Sequence, residues 1–314
     1  MIMPEVSQVH VNVALTNVSV GWRNPAFISD IVAPVVGVRK QRDKYFVYDG
    51  AREAFRSTSD LRAPGAQANE IDFALASEAY YCEDHALVSV IPDEERENAD
   101  PAIQPDIDRT EFLSDKIDLN KEIELASIVA ADSSLNGTSL SGDDQWSDGD
   151  SDPFTAIEAG KAAVIESAQV APNVLVLPQE VYSKLRVHPK ILANLQYTNS
   201  GIPTAQTLAQ LLDVERVLVP RALKNTAIPG REASMEYVWG KHAFLVWLPP
   251  RPSLKTVAFA YSFTWTLAPG SVNGRLVEHW RDHTRKSDVI RVQRYYDQKV
   301  ICPDAIYVWK NAVA

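Results

Sequence analysis

One stretch limits the possible folds more than any other. From Thr256 to Leu267 the side chains alternate without a break. Val257, Phe259, Tyr261, Phe263, Trp265 and Leu267 fall on one face, and Thr256, Ala258, Ala260, Ser262, Thr264 and Thr266 on the other. A period of two sustained over that length predicts a long β-strand with an aromatic face turned inward. A single strand or lone ribbon is marginal in water, so the chain must supply partners for it. Strands are predicted at 35–49, at 69–81, where Ile71, Phe73 and Leu75 alternate with polar or small neighbours, and near the C-terminus at 289–301 and 305–309.

A second period sits beside the first. Between about Asp106 and Ala131, Leu113, Ile117, Ile123, Ala126 and Ala130 recur at steps near three or four, with Leu119 and Leu125 widening the stripe. Charged residues are expected to fill the other face. Such a helix is roughly 35–40 Å long at the standard rise per residue. Asp152-Pro153 then offers an N-cap followed by Pro at the first helical position, opening a helix that buries Ile157, Val164 and Ile165. Val174–Leu177 reads as a short buried strand. Pro178 opens a helix with Val181, Tyr182 and Leu185 inward. Pro189 restarts it through Ile191, Leu192 and Leu195, and Thr204 caps another carrying Leu208, Leu211 and Leu212. With a second short strand at 216–219, residues 153–220 form an α/β layer inside a chain that is α+β as a whole.

Two segments want neighbours. Residues 1–33 show no sustained period and are punctuated by Asn24-Pro25 and Ala33-Pro34, which predicts an extended arm with no core of its own. The polar stretch 50–68, with the turn signal Ala63-Pro64-Gly65, joins two predicted strands into an extended hairpin. Connections of that length are usually functional or disordered.

Composition removes several classes of function. The 314 residues carry a formal charge of -10, which argues against dedicated nucleic-acid binding. Only Cys82 and Cys302 are present, so neither a disulfide framework nor a cysteine-rich metal module is expected. Met1–Glu5 lacks the basic and apolar regions of a secretion signal, and no apolar run approaches the length of a membrane span.

Candidate chemistry also fails residue by residue. Gly240-Lys241 resembles the end of a phosphate loop, but Met235 stands where the first glycine belongs and His242 where Ser or Thr belongs. His279 and His283 are four apart, yet the surrounding pattern predicts strand and turn, not a metal-binding helix. Asp148–Asp152 begins like a calcium loop, but Pro153 and Ala159 occupy the positions that need Gly and Glu. The basic residues Arg39, Lys40, Arg42, Arg281, Arg285, Lys286, Arg291 and Arg294 alternate with Asp43, Asp282 and Asp288, which favours surface or subunit contacts over phosphate binding. No active site, metal or cofactor is expected.

An ordered set of stretches does match a known pattern. Leu15–Gly21 opens the arm; Asp30–Asp49 holds Ala33-Pro34 and Lys44-Tyr45-Phe46; Phe55-Arg56 and Arg62–Gly65 follow. Gln145-Trp146-Ser147 and Ser151-Asp152-Pro153 precede a helix. Pro172–Leu177, Val181–Leu185 and His188–Ile191 complete the series. In this order they resemble the major capsid proteins of tailed bacteriophages with the Hong Kong 97-like fold. The resemblance implies an N-terminal arm at 1–33 and an extended β-hairpin loop at 34–92. It implies a peripheral domain with a long spine helix at 93–152, an α/β axial domain at 153–268 and peripheral C-terminal strands at 269–314. It also implies a structural subunit, assembled in the host cytoplasm, that forms pentamers and hexamers of an icosahedral virion shell around double-stranded DNA. The implied partners are other copies of the chain, a separate scaffolding protein, a portal and a decoration protein, with no membrane. Arg52, Phe55, Arg56, Arg62, Pro64, Trp22 and Tyr45 are the subunit-interface residues it points to. Competing readings are an encapsulin-like nanocompartment shell, which would share the fold but hold enzymes, and a soluble hydrolase with a site built from scattered residues.

Overall fold

The computed structural model describes residues 10–21, 24–47, 57, 59–62, 64–65, 67–69, 76–98, 104–196, 203–254 and 256–314. In chain order the elements are β1 (His10–Val11), α1 (Val13–Gly21), α2 (Ser29–Val32), β2 (Val35–Val38), β3 (Arg42–Val47), β4 (Ala76–Tyr81), β5 (Glu83–Pro92), α3 (Asp93–Glu97), α4 (Pro105–Ala131) and β6 (Gly137–Ser139). They continue with α5 (Pro153–Ala168), β7 (Val174–Val176), α6 (Gln179–Leu185), α7 (Pro189–Gln196), α8 (Ala205–Leu211), β8 (Arg216–Leu218), β9 (Leu223–Asn225) and β10 (Met235–Tyr237). The last are β11 (Ala243–Val246), β12 (Ala260–Trp265), β13 (Arg275–Asp282), β14 (Ser287–Val300) and β15 (Ile306–Lys310).

Two compact units share the chain. The first takes Met1–Asp43, Ala79–Ser127 and Tyr261–Lys299, the second Lys44–Glu78, Ile128–Ala260 and Val300–Ala314. In the first, a sheet runs in the order β1-β13-β14-β12-β2, and β5 pairs with β14 as well. The long β14 pairs antiparallel with β13 along Ser287–Arg294 and with β5 along Ser287–Tyr296. Leu113 and Ile117 of α4 pack with Leu15, Ile91, Val277, Ile290, Val292 and Tyr296. One helix and one sheet face thus close a core.

Three expectations change in this unit. The N-terminal segment is not wholly extended, because Val13–Gly21 is helical. Asn12 caps it: Leu15 N–H donates to Asn12 Oδ1 at 3.1 Å. No apolar stripe announced this helix because, beside Leu15, it docks through hydroxyls. Thr16 Oγ1 accepts from Val277 N–H, and Ser19 Oγ meets Ser114 Oγ of α4 at 2.7 Å. The strand expected over 35–49 breaks at Arg39–Gln41 into β2 and β3. The strand expected over 256–267 is shorter, Ala260–Trp265, and both of its faces are buried. It lies between β14 and β2, and Ser262 Oγ donates to the Ala33 carbonyl, so its small-residue face is covered. Leu267, assigned to the aromatic face, is 63% exposed and outside the strand.

In the second unit the sheet order is β6-β15-β11-β7-β8. β11 runs antiparallel to both β7 and β15, while β8 is parallel to β7 and β6 to β15. Every residue of β7 and β11 is buried. The expected caps are in place: Asp152 accepts from Thr155 N–H, and Thr204 Oγ1 from Thr207 N–H. The core joins Ile157, Leu175, Leu177, Leu185, Leu208 and Leu245 to Trp146 and Trp309. A Cβ on Gly160 would lie 2.4 Å from Trp309 Cζ2, so glycine is what lets α5 approach β15. The C-terminal strands expected to act together therefore divide. β13 and β14 belong to the first unit, whereas a turn at Pro303–Ala305 delivers β15 into the second.

Candidate functional site

The first unit contains a buried charged cluster. Lys121 of α4, wholly buried, bonds to the Asp30 carboxylate of α2 and lies 5.4 Å from the centre of the Tyr296 ring. Arg294 of β14 donates to Asp118 and, at 3.2 Å, to Asp30. Arg275 of β13 grips both oxygens of Asp118 at 2.8 Å and donates to the Ser19 carbonyl at 2.9 Å. Glu122 accepts from Ile28 N–H and Ser29 N–H, capping the start of α2 from the side of α4. The cluster thus ties the N-terminal segment to α4 and to both long strands.

Its electrostatics follow from crowding. Burial pushes the Asp30 carboxyl upward, but Lys121 and Arg294 outweigh burial and hold it well below the usual range. Burial, reinforced by Arg294, brings the Lys121 amine down to about 8 despite Asp30. The Arg275 guanidinium is lowered by burial and by Arg294. Such a cluster adds little net stability relative to apolar packing, but removing one member strands the others, at a cost of roughly 3–5 kcal/mol. Its use is to fix one geometry.

The sequence reading assigned charges on α4 to the solvent face. Lys121 and Glu122 instead share the buried side with Ile117 and Leu125, while Ile123 is only half-buried. The spacing of 117, 121 and 125, with a lysine in the middle of an apolar stripe, is the signal that would have revealed it.

Other surfaces are exposed among the described residues. β3 and β4 form a two-stranded ribbon whose side chains are exposed apart from a few positions. Tyr45 is one of the buried ones; its hydroxyl donates to Glu78 at 2.8 Å, so it fastens the ribbon. Arg62 and Pro64, beyond the ribbon, are exposed. Trp22, Arg52, Phe55 and Arg56 lie outside the described residues. The structure therefore places Arg62 and Pro64 on one exposed loop and Tyr45 in the strand leading to it. The hairpin β9–β10 carries exposed Leu223, Ile228 and Met235.

Two histidine arrangements among the described residues resemble enzyme sites only in part. Ser151 Oγ lies 3.2 Å from His188 Nε2, but both residues are buried and His188 Nδ1 accepts from Lys190 N–H, where a catalytic histidine needs an orienting carboxylate. His279 sits in β13 opposite His10 and Ile290, as the strand reading predicts. Among the described residues no cluster of three or more His, Cys, Asp or Glu side chains is arranged to hold a metal, and no helix is long and apolar enough to cross a membrane.

Comparison with known proteins agrees with the folded architecture. No family model matches the chain. It is 31% identical to the major capsid protein of Pseudomonas phage JBD67 over 306 residues, covering 96% of each. It is 26% identical to the major capsid protein of Burkholderia phage BcepMu, covering 90% of this chain and 92% of that one. The crystal structure of a phage-related protein from Bordetella bronchiseptica RB50 superposes with a TM-score of 0.78 at 26% identity, covering 96% of this chain and 97% of that chain. The Pseudomonas and Burkholderia phage relatives are major capsid proteins, which sets aside the hydrolase reading. The chain belongs to the major capsid proteins of tailed bacteriophages, with the Hong Kong 97-like fold.

Proposed function

We propose that this subunit of the icosahedral phage capsid assembles through pentamers and hexamers by laying the ribbon β3–β4 and its loop on a neighbouring copy. The observation that carries the reading is the ribbon itself. Its strands are exposed on nearly every side chain, and a two-stranded ribbon of that kind is marginal unless it packs on something. A second copy is the surface that a shell provides. Trp22, Arg52, Phe55, Arg56, Arg62 and Pro64 are proposed as contact residues, and Tyr45 as the residue that stiffens the ribbon. The N-terminal segment would act as an arm, the unit around α4 as the peripheral part, and the unit around β7 and β11 as the axial part. Exposed Leu223, Ile228 and Met235 on β9–β10 support an axial contact between copies.

Packaged double-stranded DNA, held without sequence specificity, is the cargo this reading supplies. A separate scaffolding protein, a portal and a decoration protein are the further partners. A standard protein interface buries about 1,600 Å² in total, and a shell gains its stability from many modest interfaces closing together. Deleting 52–66 tests the reading. The expected outcome is a folded protein that sediments as small species and shows no closed shells by microscopy. Normal shells from the deletion variant would contradict the role given to the loop.

A further inference from the structure

The loop beyond the ribbon is built to present one side chain. Asn69 Nδ2 donates to the Ser59 carbonyl at 2.7 Å and closes the tip. Gly65 turns it with a φ of 83°, a conformation glycine adopts without a Cβ penalty. Leu61 stands out between Asp60 and Arg62 at 88% exposure. A leucine held in water by a closed turn gains by burial elsewhere.

The first unit holds a matching cleft of about 490 Å³. Its apolar wall is Val20, Pro25, Phe27, Ile31 and Val35, of which Ile31 is 36% and Val35 43% exposed. Its floor includes Thr264, whose buried Oγ1 has no hydrogen-bond partner among the described residues. Buried hydroxyls are normally paired. The rim carries Asp30, whose side chain stays 41% exposed although it is bonded to Lys121 and Arg294.

We propose that this cleft receives the loop tip of a second copy: Leu61 packs against Ile31 and Val35, and Arg62 reaches Asp30. Two features of the cleft match two of the tip in kind: apolar to apolar, and carboxylate to guanidinium. The inference rests on the shell-assembly reading and adds the anchor and its receptor. Burying one leucine corresponds to roughly tenfold or more in an association constant, multiplied over every copy in a shell.

Paired cysteines test it, because the native Cys82 and Cys302 are both buried. Particles of the Leu61→Cys, Ile31→Cys double variant, treated with a mild thiol oxidant or a short bismaleimide, are expected to give a ladder of covalent multimers on a denaturing gel. Either single variant is expected to run as monomer. Leu61→Asp, at an exposed position, is expected to keep its circular dichroism and melting temperature and to lose closed particles. Assembled double-cysteine particles that yield no ladder with either reagent would overturn the proposal, and so would Leu61→Asp assembling like the parent protein. Failure of the parent protein to assemble at all would instead count against the shell-assembly reading beneath it.

Discussion

The two units hold themselves together by different means. The second closes around Ile157, Leu175, Leu185, Leu245 and Trp309, an apolar core in which position and identity tolerate exchange of similar volumes. The first has an apolar patch too, but its N-terminal segment is held by Asp30, Asp118, Lys121, Glu122, Arg275 and Arg294 and by a serine pair. Apolar contact is non-directional, whereas a network of charged hydrogen bonds is correct in one arrangement only. A subunit that must present its arm and its cleft in a set position gains from the second kind of contact.

Mutations can break that comparison, and the largest effect belongs to the charged side. Asp118→Ala leaves Arg275 and Arg294 without their shared carboxylate. It is expected to cost about 3–5 kcal/mol in a denaturant titration of the unassembled subunit. A cost below about 1 kcal/mol would show that the cluster is slack. Leu175→Ala, in the fully buried β7, is expected to cost about 2–5 kcal/mol by cavity formation and to leave the N-terminal segment's protection from hydrogen exchange unchanged. Loss of protection at Asn12–Ser19 in that variant would mean the two kinds of contact are not separable.

The smallest effect is a pH dependence. Lys121 titrates near 8 in the folded chain against 10.5 when unperturbed. Between those values the unfolded chain binds more protons, so this group makes stability rise with pH from about 8 toward 10.5. Lys121→Met removes the group and its slope. The difference between the two melting temperatures is expected to move in the parent's favour as pH rises from about 8 toward 10.5, on top of the constant offset from losing the Asp30 partner. A parallel pair of curves would show that Lys121 is not held as the structure has it.

How much of this was legible depends on which force held each part. Periodicity and caps outlined helices α5 to α8 and strands β7 and β8 of the second unit, but not its central strand β11, and Ile165, expected inward on α5, is exposed. Asp152 and Thr204 cap their helices, and the run at 174–177 is a buried strand, because apolar burial leaves a pattern in sequence. Helix α4 was legible in extent but not in orientation, since Lys121 and Glu122 look like surface residues until Asp30, Arg275 and Arg294 arrive from far along the chain. Helix α1 was hidden because Thr16 and Ser19 bond where leucines would pack. The alternation over 256–267 overstated its strand, since period two says nothing of where neighbours end. The contact residues came from family resemblance alone. Chain folding constrains them weakly, because their partner is another copy.

Negative-stain microscopy of the purified protein, beside sedimentation of the same sample with and without a co-expressed scaffolding protein, tests the assembly account most directly. The account predicts closed shells, tubes or capsomer-sized rings. A subunit that stays monomeric under both conditions would contradict it.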